Sequence, residues 1–244
     1  MVTDRAHSLH EKAVLKLLRL KGRLGMSRQV FTDIYRFNLW GNPESRSGPG
    51  SSLQSTESVR KELPLILRQF GVRTMLDAGC GDCNWISSMD LDLERYIGAE
   101  IVPALVEVNR RKEWVNAPYR REFILLDISR GPVPEVDLVF CRHCLIHLPI
   151  TDILRCLDNV RRSGSKYFMA TTIPSCSGNR DILTGGFREL NLQLEPFLLP
   201  EPLARINDVV VIDGEYRTDG WLYLWRLSDF PATVHGYLES ARAG

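Results

Sequence analysis

The sequence predicts an α/β domain built on a mainly parallel sheet, and three observations lead there. From about residue 70, short apolar runs alternate with helix-like stretches, the pattern of repeated strand-helix units. A Gly-x-Gly turn, Gly79 and Gly81, follows directly on the first apolar run, and a carboxylate, Glu100, closes the second. The 244 residues, 44% of them hydrophobic, are enough to bury one large core.

The strands are expected at 74–77, 96–100, 122–127, 136–141, 166–172, 209–213 and 221–225. The polar stretch 214–220 between the last two suits a hairpin, so the sheet is expected to end in an antiparallel pair. Upstream, residues 41–56 are rich in Gly, Ser and Pro and read as a loop. Residues 174–202 hold four prolines and the Gly185-Gly186 pair. A connection that long reads as an insertion beside the site.

Composition excludes several functions. With 31 basic and 30 acidic residues the chain has no overall field to draw it to nucleic acid. The exception is the start, where Arg5, Lys12, Lys16, Arg19, Lys21, Arg23 and Arg28 face only Asp4 and Glu11. With Val14, Leu17 and Leu18 at helical spacing, that stretch reads first as a solvated amphipathic helix covering the main domain, with a membrane surface or an anionic acceptor as the alternative. No apolar run approaches the ~20 residues of a membrane span, and no signal-peptide core is recognisable. Six cysteines are too sparse for a secreted disulfide scaffold. A cytoplasmic location is therefore expected.

The turn after the first strand carries the chemistry. Gly79 and Gly81 lack a Cβ and allow a ligand to approach the backbone, with a helix expected to follow. Glu100 lies 19 residues after Gly81, close to the spacing at which a carboxylate meets a ribose diol in dinucleotide folds. The third glycine of the dinucleotide fingerprint is missing, because Asp82, Cys83 and Asn84 follow Gly81. Asp82 would repel a phosphate but suits an ammonium and a sulfonium.

On these motifs the chain resembles the class I S-adenosylmethionine-dependent methyltransferases. LDAGCGDCNW is similar to their first motif, YIGAEI to the second, EFILLDIS to the third and DLVFCRHCLIHLP to the fourth. NLWGNPESRSGPGSS and GGFRELNLQLEPFLLPEP further resemble a bacterial subfamily. The resemblance implies a Rossmann-like seven-stranded sheet of order 3-2-1-4-5-7-6, strand 7 antiparallel, with helices on both faces. It implies S-adenosylmethionine as cofactor, with Asp77, Gly79, Gly81 and Asp82 beneath its methionine end and Glu100 on the ribose. Asp127 would bond the adenine, Ile101 and Ile128 would pack the ring, and Cys141 would border the site. Residues 1–56 would then form a lid in which Trp40, Arg46 and Ser47 close over the cofactor, Arg46 on its carboxylate. Residues 57–244 would form the methyltransferase domain, with the acceptor at the insertion.

Methyl transfer from a sulfonium is an in-line displacement, so the protein mainly aligns the acceptor. A hydroxyl acceptor also needs a base, and histidine accepts a proton near neutral pH. Arg142 and His143 follow the fourth strand, and His147 lies on the same face if a helix starts promptly. His143 is the preferred base, while the apolar neighbours of His147 favour a packed residue. Asn179, Arg180, Asp181, Arg188 and Asn191, beside Phe187 and Phe197, suit a small-molecule or sugar acceptor, or else pin the insertion in place.

Other readings stay open. Cys80 with Cys83, and Cys141 with Cys144, could approach as a zinc site, but zinc modules hold such pairs much closer in sequence, so no metal is expected. A nicotinamide-dependent oxidoreductase and a non-catalytic cofactor-binding module are the competing functions. Monomer and homodimer are equally compatible with the sequence.

Overall fold

The computed structural model describes residues 9–114, 117–212 and 215–231. Helices α1 (Leu9–Arg23), α2 (Ser27–Arg36) and α3 (Glu57–Gln69) precede strand β1 (Thr74–Ala78). Then come β2 (Arg95–Glu100), α4 (Pro103–Arg111), β3 (Arg120–Leu125), β4 (Leu138–Cys141), α5 (Ile150–Arg162) and β5 (Tyr167–Thr172). The long strands β6 (Ala204–Ile212) and β7 (Glu215–Arg226) close the sheet.

The sheet has seven strands in the order β3-β2-β1-β4-β5-β7-β6. Pairing is parallel from β3 to β5 and antiparallel for β5 with β7 and β7 with β6. This is the expected topology. Alternation along the strands divides the core in two. Met75, Tyr96 and Phe140 pack with α3 through Val59, Leu63 and Leu67. Leu76, Ala78 and Val139 pack with α5 through Ile153, Leu154, Leu157 and Val160.

Three expectations need correction. The helix foreseen after Gly81 is only a 3-10 turn, Ile86–Ser88. Asp82 accepts the N–H of Asn84, a local bond that competes with helical pairing. The last two strands are longer than their apolar centres implied: antiparallel pairing runs on through the polar residues Glu215, Tyr216 and Arg217. Backbone bonding sustains that arm, whereas the sequence pattern registers only the half-buried part. The expected end of the sixth strand, Asp213, lies outside the described residues, as do the N-terminal Asp4 and Arg5. Third, His143 and His147 share no helical face. Residues Leu145–His147 form a 3-10 turn, and α5 begins only at Ile150.

At the end of the sheet remote from the glycine turn, Asp137 joins three strands. Its Oδ2 accepts the backbone N–H of Arg73 and Thr74 and the hydroxyl of Thr74, while Oδ1 accepts Lys166 Nζ at 2.6 Å. Removing that carboxylate orphans the two N–H donors. We expect Asp137→Ala to lower unfolding free energy by about 2 kcal/mol in urea titration.

Candidate functional site

The site begins where β1 ends. Gly79 and Gly81 have φ of +79° and +58°, in the left-handed region that glycine enters at little cost. A Cβ on Gly79 would lie 3.1 Å from Cys144 Sγ, and one on Gly81 would lie 2.1 Å from Ser47 Oγ. Both glycines are thus required by conformation and by close neighbours.

The turn is held from β2 by Glu100. Its Oε2 accepts the N–H of Gly81 at 3.0 Å, and Oε1 accepts those of Ile101 and Val102 at 2.7 and 3.0 Å. Burial raises its pKa, partly offset by these three donors. A carboxylate has about four acceptor positions, so Oε2 keeps one for a further donor. Asp77, one strand over, accepts the Tyr96 hydroxyl at 2.7 Å. Burial pushes the Asp77 carboxyl up to about 7.

Asp82 ties the N-terminal segment down. Ser45 Oγ donates to Asp82 at 2.9 Å, the Arg46 N–H at 3.0 Å and Ser47 Oγ at 3.2 Å, while Ser47 Oγ accepts the Asp82 N–H at 2.9 Å. The Arg46 guanidinium lies over the Tyr35 ring and donates to the Tyr35 carbonyl. Trp40 stacks on His147, ring centroids 5.0 Å apart. The Asp82 and His147 contacts fasten the loop to the domain, and Arg46 binds it to α2.

Beneath α2 lies a cavity of about 40 Å³ lined by Gly79, Ile101, Asp127, Ile128 and Cys144 among others, with Ser27 and Phe31 of α2 on its outer side. Four residues expected to face one ligand therefore do converge. Asp127 Oδ1 accepts the N–H and hydroxyl of Ser129 at 3.0 and 2.6 Å. Cys141 is buried in the α5-side core, and it is Cys144 that reaches the cavity.

Past β4, the Arg142 guanidinium is engaged by Asp208. Its Nε donates to Asp208 Oδ1 at 2.9 Å, Nη2 lies 2.8 Å from the same oxygen, and the guanidinium lies over Trp85. Nε2 of His143 lies 3.0 Å from Asp208 Oδ2, and its backbone N–H donates to Thr171 Oγ1. His143 has φ of +52°. The Nδ1 edge faces Gly50, where a Cβ would come within 2.5 Å. Burial lowers the His143 pKa, as does Arg142, against the opposing pull of Asp208. Burial alone would raise Asp208, but Arg142 and His143 outweigh it and hold the carboxyl below its ordinary value.

Residues 75–164 match the family model described as a methyltransferase domain. That segment is a methyltransferase domain, and the sheet order is the one expected for the class I S-adenosylmethionine-dependent fold. The fold is similar to magnesium protoporphyrin IX methyltransferase from Synechocystis PCC 6803, solved with bound SAH, at TM-score 0.57 and 14% identity, over 83% of this chain and 98% of that one. It is also similar to N-methyltransferase NodS from Bradyrhizobium japonicum WM9, at TM-score 0.53 and 16% identity, over 79% and 97%. Phosphoethanolamine N-methyltransferase 1 from Haemonchus contortus gives TM-score 0.52 at 14% identity, over 86% of this chain and 49% of that one. No curated protein matches the chain in sequence.

The remaining candidates are held by hydrogen bonds or by packing. His147 has its Nδ1 2.7 Å from the Gly186 carbonyl, which sets the tautomer that donates there. The Asn179 side chain donates to the Asn191 carbonyl and accepts the Asn191 N–H, Asp181 accepts the N–H of Ile150, and Arg188 donates to the Leu148 carbonyl. Phe197 is fully buried. The two Cys-x-x-Cys pairs belong to opposite faces of the sheet, so the four thiols do not gather. Among the described residues no group of three or more His, Cys, Asp or Glu could hold a metal ion.

Sequence reasoning missed Asp208, Thr171, Ser27 and Phe31. Asp208 is a charged residue ahead of the apolar run Val209-Val210-Val211, and such a residue in a strand signals an internal partner once the strand is known to continue through it.

Burial lowers the His147 pKa from 6.5 to about 4. The unfolded chain therefore binds a proton that the folded chain refuses between those values, so stability falls as pH drops from about 6.5 toward 4. Urea unfolding across that range should show this slope, reduced in His147→Gln.

Proposed function

We propose that the chain transfers a methyl group from S-adenosylmethionine to a hydroxyl of a small-molecule or glycan acceptor, with His143 as the base. The observation that carries this reading is the contact of His143 with the buried Asp208 carboxylate at the end of β4.

The residues present suit the cofactor. Gly79 is exposed for the methionine end, Gly81 lies beneath Ser47 of the loop, and Asp77 and Cys141, whose side chains are committed elsewhere, would contribute main chain only. Glu100 would offer its spare acceptor position to the ribose, and Asp127, Ile101 and Ile128 would hold the adenine. When bound, S-adenosylmethionine supplies an electrophilic methyl on a sulfonium.

Residues 1–56 would act as the lid. The cavity of about 40 Å³ under α2 is far below the ~300–1,000 Å³ of ordinary ligand sites. Ser27 and Phe31 would therefore move outward to admit the nucleoside. Ser45 and Ser47 on Asp82, and Trp40 on His147, would then re-form the closed loop.

His143 is suited to take the acceptor proton. Its lowered pKa keeps it neutral near pH 7. Protonation of Nε2, 3.0 Å from Asp208 Oδ2, would leave the lone pair on Nδ1, the edge that Gly50 of the N-terminal loop packs against until the loop is displaced. Asp208, ionised through Arg142, would stabilise the imidazolium formed as the hydroxyl proton arrives.

Release of S-adenosylhomocysteine, measured across a panel of sugars and small phenols, tests the assignment. His143→Ala should lower turnover by about 100-fold or more while cofactor affinity by calorimetry is unchanged. Near-normal turnover would remove His143 as base. Gly50→Ala, whose methyl would abut Nδ1, should reproduce the loss. The rate should rise through a single ionisation below the ordinary imidazole pKa and stay flat above it, because the base works deprotonated.

A further inference from the structure

Helix α1 carries an apolar stripe that the fold leaves uncovered. Leu17, Leu20 and Leu24 are 47%, 54% and 65% exposed. Together with the exposed Ala13 they recur at the three-and-four spacing that aligns side chains on one side of a helix. The amide of Leu24 bonds the Leu20 carbonyl, so the last leucine continues the helical turn.

The other side of α1 is docked. Lys21 pairs with Asp33 of α2, Gly22 lies against Leu183 and Thr184 of the insertion, and Val14, Leu15 and Leu18 are half-buried. The helix is therefore held firmly with its leucine edge turned to solvent. Along that edge run Lys16, Arg19 and Arg23, all exposed, and no ion pair among the described residues engages them.

We propose that this edge of α1 seats the protein on an anionic phospholipid surface. An apolar stripe bordered by cations is the arrangement of a helix that lies in the plane of a bilayer interface, leucines in the acyl boundary and cations among the headgroups. Neither part suffices alone, since three leucines bind weakly and exposed cations are screened by salt.

A second copy of this chain fits the edge poorly. Two such edges face to face would oppose six cations, and one side of a short helix falls well below the roughly 800 Å² per partner of a stable dimer. No described helix is long and apolar enough to cross a membrane, so the contact is peripheral. Because α1 rests on α2, and α2 lines the cavity through Ser27 and Phe31, seating would bring the mouth of the site close to the lipid. This surface is independent of which acceptor is methylated.

The test is vesicle sedimentation of the full chain. Mixed phosphatidylglycerol and phosphatidylcholine vesicles should carry the protein down at low salt and release it as salt rises, and pure phosphatidylcholine vesicles should not. Replacing the cations (Lys16→Gln, Arg19→Gln, Arg23→Gln) should weaken partitioning about 100-fold, at about fivefold per cation. Leu17→Ser with Leu20→Ser and Leu24→Ser should weaken it comparably, with thermal melting and cofactor affinity unchanged in both variants. No sedimentation of the unmodified protein on the mixed vesicles at low salt, or equal sedimentation on neutral ones, overturns the proposal. So does a concentration-dependent dimer in sedimentation equilibrium that Leu20→Arg splits.

Discussion

The site is organised by a single buried carboxylate, that of Glu100. Its three backbone donors belong to the turn after β1 and to the chain leaving β2, so it joins two neighbouring strand ends into one rigid corner. A buried charge is tolerated where such donors replace water, and charge-assisted bonds of this kind are the stronger ones. The left-handed Gly79 and Gly81 follow from that corner, and the next residue, Asp82, faces outward to hold Ser45 and Ser47. Cofactor turn and N-terminal loop thus depend on adjacent positions of one short segment.

The buried acids on the two sides of β1 and β4 have opposite environments. Asp77 has the Tyr96 hydroxyl as its hydrogen-bond partner and feels Arg142 without bonding it, so burial, helped by the Glu100 charge, lifts it to about 7. Asp208 is equally buried but lies between Arg142 and His143, and is held ionised. The difference lies in the neighbouring cation rather than in depth. It also explains why Arg142 engages Asp208: a guanidinium beside a buried carboxylate is far more stable than either charge alone in the interior.

Much of the fold was legible because it depends on local regularities. Alternating apolar runs marked the positions of all seven strands, and the Gly-x-Gly turn with Glu100 marked the end of the sheet where β1 and β2 are joined. The polar start of β7 was not legible, since Glu215, Tyr216 and Arg217 join the sheet through backbone pairing with Ile212, Val211 and Val210 rather than through an apolar pattern of their own. The missing helix after Gly81 was misread for the opposite reason: local propensity admits one, but the Asp82 side chain is taken up by the turn and the loop.

Residue types and spacing alone determined the sheet, the glycine corner and the carboxylate that grips it, because each rests on periodicity or on a conformation only glycine enters readily. Tertiary structure alone decided the partners of the two histidines. His143 meets Asp208 across 65 positions of sequence, and His147 is covered by Trp40 from a segment more than 100 residues upstream. No spacing rule reaches that far. The protonation of each ring is set by what the fold packs against it, a matter of burial and neighbouring charge rather than of the order of residues.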